Sequence, residues 1–138
     1  LRTLPLTASD EELLDAVREW VTLVVRGDFN AASEFVYEAK PGREGEWTPK
    51  LIEQVIRNYG SIDPFPDGRT FEVTPLATAT GDLTPCHEVQ RDDEHEASSG
   101  YIWFDLPLNG EWSDLTATFE FRPLDDSLVL VLDQIHVM

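Results

Sequence analysis

Apolar positions along this chain change their spacing midway, from steps of three and four to steps of two. In the first half Leu13, Leu14, Val17, Trp20, Val21, Val24 and Val25 fall on one stripe of a helix, with polar residues between them. The stretch SDEE marks its start: Ser9 can cap the first turn, Glu12 can reach back to it, and the acids suit the positive end of the helix dipole. Gly27 predicts its end. Asp28 predicts the cap of a shorter helix whose Phe29, Ala32, Phe35 and Val36 share one side. Beyond the polar loop KPGREGE, Thr48 as cap and Pro49 at the first helical position predict a third helix that ends at Gly60. Leu51, Ile52, Val55, Ile56 and Tyr59 form its apolar stripe. The next stretch, SIDPFPDG, is predicted irregular, because two prolines and a DG turn oppose regular pairing.

From Thr70 onward the period of two predicts strands near 70–80, 86–91, 100–108, 114–122 and 128–137. The Asn109-Gly110 pair predicts a tight hairpin, and PLDDS the next turn. Helices followed by a run of strands predict an α+β fold, with three N-terminal helices packed on an antiparallel sheet of about five strands. The whole chain, 1–138, reads as one domain, since no linker, repeat or low-complexity tract divides it.

This order resembles the cone-shaped nuclear-transport-factor-2-like superfamily: a long helix, a Gly27-Asp28-Phe29 junction, a short helix, a third helix and then a meander. The resemblance implies a strongly curved sheet wrapped around the helices, a pocket at the wide mouth of the cone and frequent dimerisation. It implies no single activity, because that superfamily includes isomerases, dehydratases, transport adaptors and toxin-neutralising immunity proteins. The short strand usual between its second and third helices is represented only by a stub around Glu46 and Trp47.

Alternation assigns strand residues to faces. In YIWFDLPL, Ile102, Phe104, Leu106 and Leu108 suit the core, which leaves Tyr101, Trp103, Asp105 and Pro107 on the outer side. In DLTATFEFR, Leu115, Ala117, Phe119 and Phe121 turn inward, leaving Thr116, Thr118, Glu120 and Arg122 exposed. Along VLDQIHVM, strict alternation groups His136 with Leu128, Leu130 and Leu132, and Asp133 with Val129, Val131, Ile135 and Val137. With the leucines toward the helices, His136 points inward and Asp133 outward.

Two function classes follow. A pocket lined by Trp20, Tyr37, Tyr59 and His136 could serve a small-molecule enzyme or carrier, with the histidine as general base and a tyrosine as donor. A core histidine satisfied by a carbonyl or a hydroxyl explains the same residue, and no second inward carboxylate accompanies it. The other class is a non-catalytic binding protein. Tyr101, Trp103, Asp105, Thr116, Thr118 and Glu120 then form a recognition patch, because tyrosine and tryptophan anchor interfaces and acids favour a cationic partner.

Charge sharpens the second class. The chain has 27 acidic residues against 10 basic ones, a net of -17. The excess lies mostly in the second half, where 14 acids face only Arg91 and Arg122; residues 1–69 hold 13 acids and 8 bases. Such a field repels nucleic-acid phosphates and anionic lipid. It fits a basic protein partner, as an immunity-like inhibitor of a toxin would have, and equally a surface adapted to high salt. Self-association through the sheet face is the other way to cover it, against charge repulsion.

No metal or cofactor is expected. In CHEVQRDDEHE, Cys86, His87, His95 and the acids are ligand types, but the spacing matches no zinc finger and HEVQR lacks the second histidine of HExxH. Phosphate-binding glycine loops and nucleophile elbows are absent. A single cysteine, Cys86, fits a reducing, cytoplasmic setting.

Overall fold

The computed structural model describes residues 1–38, 46–92 and 96–138, with side chains from residue 98 in the last stretch. Most of the KPGREGE loop and His95 lie outside the described residues. Three helices, α1 (Asp10–Val25), α2 (Phe29–Phe35) and α3 (Pro49–Arg57), pack against a curled five-stranded antiparallel sheet. The strands are β1 (Thr3–Pro5), β2 (His87–Asp92), β3 (Glu96–Leu108), β4 (Glu111–Leu124) and β5 (Ser127–Val137), in the order β1-β5-β4-β3-β2.

The helix boundaries follow the capping chemistry. Ser9 and Glu12 form a reciprocal capping box, with Glu12 N–H to Ser9 Oγ at 3.2 Å and Ser9 N–H to Glu12 Oε1 at 3.1 Å. Asp28 caps α2 through the Ala31 amide, and Thr48 caps α3 through the Leu51 amide, with Pro49 at the first helical position. The β3–β4 hairpin closes through Asn109 and Gly110, whose φ angles of 52° and 89° are those a two-residue turn of this hand requires.

The core lies between the helices and the concave face of the sheet. Leu13, Ala16, Val17, Trp20, Val21 and Val24 of α1 are buried against Ile102, Phe104, Phe119, Phe121, Leu128 and Leu130 of the sheet. Trp20 is fully buried: its ring meets Phe119 edge-on at 5.2 Å, and its Nε1–H donates to the Ala32 carbonyl at 3.2 Å. One large side chain thus ties α1 to α2 and to the central strand, with its polar atom satisfied.

Two strands differ from expectation. Residues 70–80 do not form a strand: Val73 bridges Leu108, Thr80 bridges Glu111, and between them Leu76–Thr78 make one turn of 3-10 helix. Pro75, just before that turn, has no amide to donate to a ladder. The fifth strand is instead β1, which pairs with Ser127–Val129 of β5. Three residues are too short for any periodicity to reveal. The stub at Glu46 and Trp47 is not a strand either, though Trp47 Nε1–H donates to the Asp133 carbonyl on the edge of β5 at 3.3 Å.

The ladders contain three irregularities, between Arg91 and Asp92, between Asp105 and Pro107, and between Thr118 and Phe119. At the last, Thr118 pairs with Gln134 but Phe119 with Leu132, so Asp133 is an extra residue in β5. Leu128, Leu130 and Leu132 face the core before it, and Ile135 faces the core after it.

Trp20→Ala should lower unfolding stability by about 3–5 kcal/mol in urea titration, with the m-value unchanged. Gly100→Ala should cost about 2 kcal/mol or more, since no packed core relaxes freely around an added atom. The physical cause is direct: a Cβ there would lie 2.0 Å from the Gln90 carbonyl oxygen and force β2 away from β3.

Candidate functional site

Strand register places the convex face in rows across the sheet. The first row runs from Asp105 on β3 through Thr116 on β4 to His136 on β5; the second from Glu88 through Trp103 and Thr118 to Gln134; the third from Gln90 through Tyr101 and Glu120 to Val131. Helices cover the opposite face, so these residues lie on the open side. Tyr101 is 48% exposed, and Trp103, Asp105 and Glu120 are partly exposed.

Thr116 and Thr118 are buried, at 1% and 4% exposure, which corrects their expected role as surface residues. They are short side chains on the central strand, overhung by longer neighbours on β3 and β5. Their hydroxyls instead hold carboxylates in place: Thr116 Oγ1–H donates to Asp105 Oδ1 at 2.6 Å, and Thr118 Oγ1–H to Asp133 Oδ2 at 3.3 Å. Asp105 also accepts the Cys86 amide at 2.8 Å on its other oxygen. Hydroxyl and amide donors orient a carboxylate without neutralising it. Among the described residues no basic side chain pairs with Glu88, Asp105 or Asp133; Arg122, at the far end of the face, lies 3.7 Å from Glu120.

The extra residue at Asp133 also corrects the facing of His136. It pairs with Thr116 on the convex side, not with the inward leucines. Asp133 and His136 therefore do not sit on opposite sides as strict alternation demands. His136 borders a shallow depression of about 320 Å³ with Trp47, Leu51, Val55, Gly60, Ile62 and Asp133, and its buried Nδ1 has no hydrogen-bond partner among the described residues.

The four residues read as pocket liners take different partners. Trp20 is sealed in the core. Tyr37 lies outside the helices' core layer, its amide bonded to the Leu130 carbonyl at 2.7 Å and its ring 5.8 Å from the Arg122 guanidinium. Tyr59 donates its hydroxyl to Asp114, a residue in the irregular stretch of β4, and packs edge-on against Phe71 at 5.0 Å. Burial first, and then that bond, push its phenol up to about 12. Of the four, His136 alone lines the depression beside α3.

Residues outside the expected set complete the picture. Glu88 joins the convex face because β2 pairs with β3 there; the HEVQR alternation contained that signal. His87 faces the other way, stacked on Phe104 at 3.7 Å between ring centres, with Nε2 3.1 Å from the Asp105 carbonyl. Burial lowers its pKa, against the opposing pull of Asp105, and Arg18 adds to the lowering. Burial also raises the Cys86 thiol, and Asp105 and Glu88 add to it, so this cysteine is no ready thiolate. No cluster of three or more ligand-type side chains occurs among the described residues. Among the described residues no helix is long and apolar enough to cross a membrane.

Comparison with family models, with curated proteins and with solved structures finds no match.

Two titrations test this geometry. The folded state keeps His87 neutral below the unfolded value of 6.5, so its contribution is present above that pH and drains as pH falls through the lowered folded value. H87Q should reduce the acid-side slope of stability in urea titrations across that range. Tyr59 has the opposite sign: its folded pKa is raised from 10.0 to about 12, so its contribution is present below 10.0 and is lost as pH rises toward 12. Y59F should remove that alkaline loss and cost about 1 kcal/mol at neutral pH.

Proposed function

We propose that this protein works by binding a basic protein through the convex face of its sheet, as an immunity-like inhibitor that neutralises a cationic toxin. In this reading it is a cytoplasmic, cone-shaped member of the nuclear-transport-factor-2-like group. The observation that carries it is the set of carboxylates around Trp103. Glu88 lies directly across from the indole, and Asp105 lies two residues along the same strand. Neither carboxylate has a basic partner among the described residues, and Asp105 is held by a hydroxyl and an amide.

An acidic surface adapted only to salt needs charge, but it does not need a tryptophan and a tyrosine set among oriented carboxylates. Aromatic side chains offer large, rigid contact area with little entropy to lose, and cations pair favourably with both the ring face and the acids. Sheet-to-sheet dimerisation through the same face would bring Glu88, Asp105 and Asp133 of two copies together. Like charges facing across an interface oppose it. Val129, which could have demanded a covering partner, is already fully buried within the single chain, between Thr3 and Arg122 in the sheet. Of Trp20, Tyr37, Tyr59 and His136, only His136 lines the depression beside α3, which gives the pocket-enzyme reading less support than the convex face gives the binding one.

Affinity capture from native extract at low salt tests the proposal. A basic protein should be retained and then released at about 0.5 M salt, where screening shortens the reach of charges to a few ångströms. Trp103→Ala should weaken that binding by about 2 kcal/mol or more, while the remote D82N leaves it unchanged. Equal retention by wild type and W103A would remove the convex face from consideration.

A further inference from the structure

Among the described residues, main-chain groups on the edge of β5 beside α3 lack hydrogen-bond partners, and the bonds around it fix their direction. Tyr37 N–H donates to the Leu130 carbonyl, so the groups of Leu130 point away from β4. Past the extra residue, Met138 N–H donates to the Asp114 carbonyl, so the groups of Met138 point toward β4. Main-chain groups alternate along a strand. Counting back, His136 and Gln134 face β4, and the N–H and C=O of Ile135 face away from it. β1 reaches only Ser127–Val129, Tyr37 occupies Leu130, and Trp47 Nε1 occupies the Asp133 carbonyl. Among the described residues, none hydrogen-bonds to Ile135 from that side.

These open groups line the depression between β5 and α3. Its walls are apolar, from Trp47, Leu51, Val55 and the 62% exposed Ile62, and Asp133 stands at its rim. Buried or half-buried main-chain groups are costly to leave unpaired, and an extended chain adding to a sheet edge satisfies donor and acceptor together. Asp133 belongs also to the convex face through Thr118, so the depression is continuous with that surface.

We propose that Ile135 is a strand-addition site: a short extended segment of a partner protein exchanges both main-chain hydrogen bonds with it, laying an apolar side chain against Trp47, Leu51 and Ile62 and a lysine or arginine against Asp133. Only the identity of that partner rests on the reading of the convex face; the edge geometry stands without it. The segment is short because Gly60 closes the far end, where an added Cβ would lie 3.5 Å from both the His136 Cα and the Val137 nitrogen.

The probe is a capped pentapeptide of alternating lysine and valine, followed by amide-resolved hydrogen exchange on the intact chain. In the free protein the Ile135 amide should exchange much faster than those of Gln134 and His136. Saturating peptide should slow it by about tenfold or more, and the same peptide N-methylated at its central residue should not, because protection requires the hydrogen bond. The exposed substitution I62R should weaken peptide binding by about tenfold, and W103A should leave it within about twofold, because the Trp103 side chain does not line the depression. No slowing at Ile135, or equal slowing by the N-methylated peptide, overturns the proposal. Slowing that depends on protein concentration without peptide assigns the edge to a second copy and overturns the partner segment. Loss of the captured basic protein with W103A but not I62R would keep the convex face and reject the edge.

Discussion

The extra residue at Asp133 governs the last third of the sheet. Without it, the leucines that fill the core from Leu128 to Leu132 would carry Gln134 and His136 inward after them and turn Ile135 out. Burying an amide and an imidazole without partners costs several kcal/mol, and exposing an isoleucine forfeits about 2 more. A single unpaired residue, tied by its carbonyl to Trp47 and by its carboxylate to Thr118, leaves Gln134 exposed and Ile135 in the core, while His136 stays half-buried with its Nδ1 unpartnered among the described residues. The convex position of His136 and the outward direction of the Ile135 main chain both follow from it.

A second constraint comes from the central strand. β4 has neighbours on both sides, so its convex side chains must be short or must lie flat under those neighbours. Thr116 and Thr118 meet that condition and spend their hydroxyls on Asp105 and Asp133. The carboxylates are thereby fixed in direction by uncharged hydroxyl donors. The helices reinforce this division by taking up the concave face, with Trp20 and Phe119 at its centre. The partly exposed carboxylates and aromatic rings of β2 and β3 are left on the other side.

Much of this was legible from residue order. Capping boxes, a proline at the first helical position and an Asn-Gly turn act over a few residues, so the helices and the β3–β4 hairpin could be placed from local chemistry. The alternation of Tyr101, Trp103 and Asp105 against Ile102, Phe104 and Leu106 also survives in the fold, because no irregularity interrupts β3 between Tyr101 and Asp105. The segment 70–80 looked like a strand by its spacing, but Pro75 and the lack of a continuous neighbour reduced it to two isolated bridges. β1 gave no signal, since three residues gain strand geometry only from the edge they join.

Sequence alone determined which stretches are helical, which alternate, and where the negative charge is concentrated, because propensity, period and composition are properties of neighbouring residues. It even held a trace of the extra residue, in the switch from Leu128, Leu130 and Leu132 to Ile135. Tertiary structure decided what that switch meant. Only the tertiary packing shows which residue of β5 is left over, that Thr116 and Thr118 are buried, and that Trp20 is sealed in the core while His136 borders the depression beside α3. These are matters of register and distance between segments far apart in the chain, and no local rule encodes them.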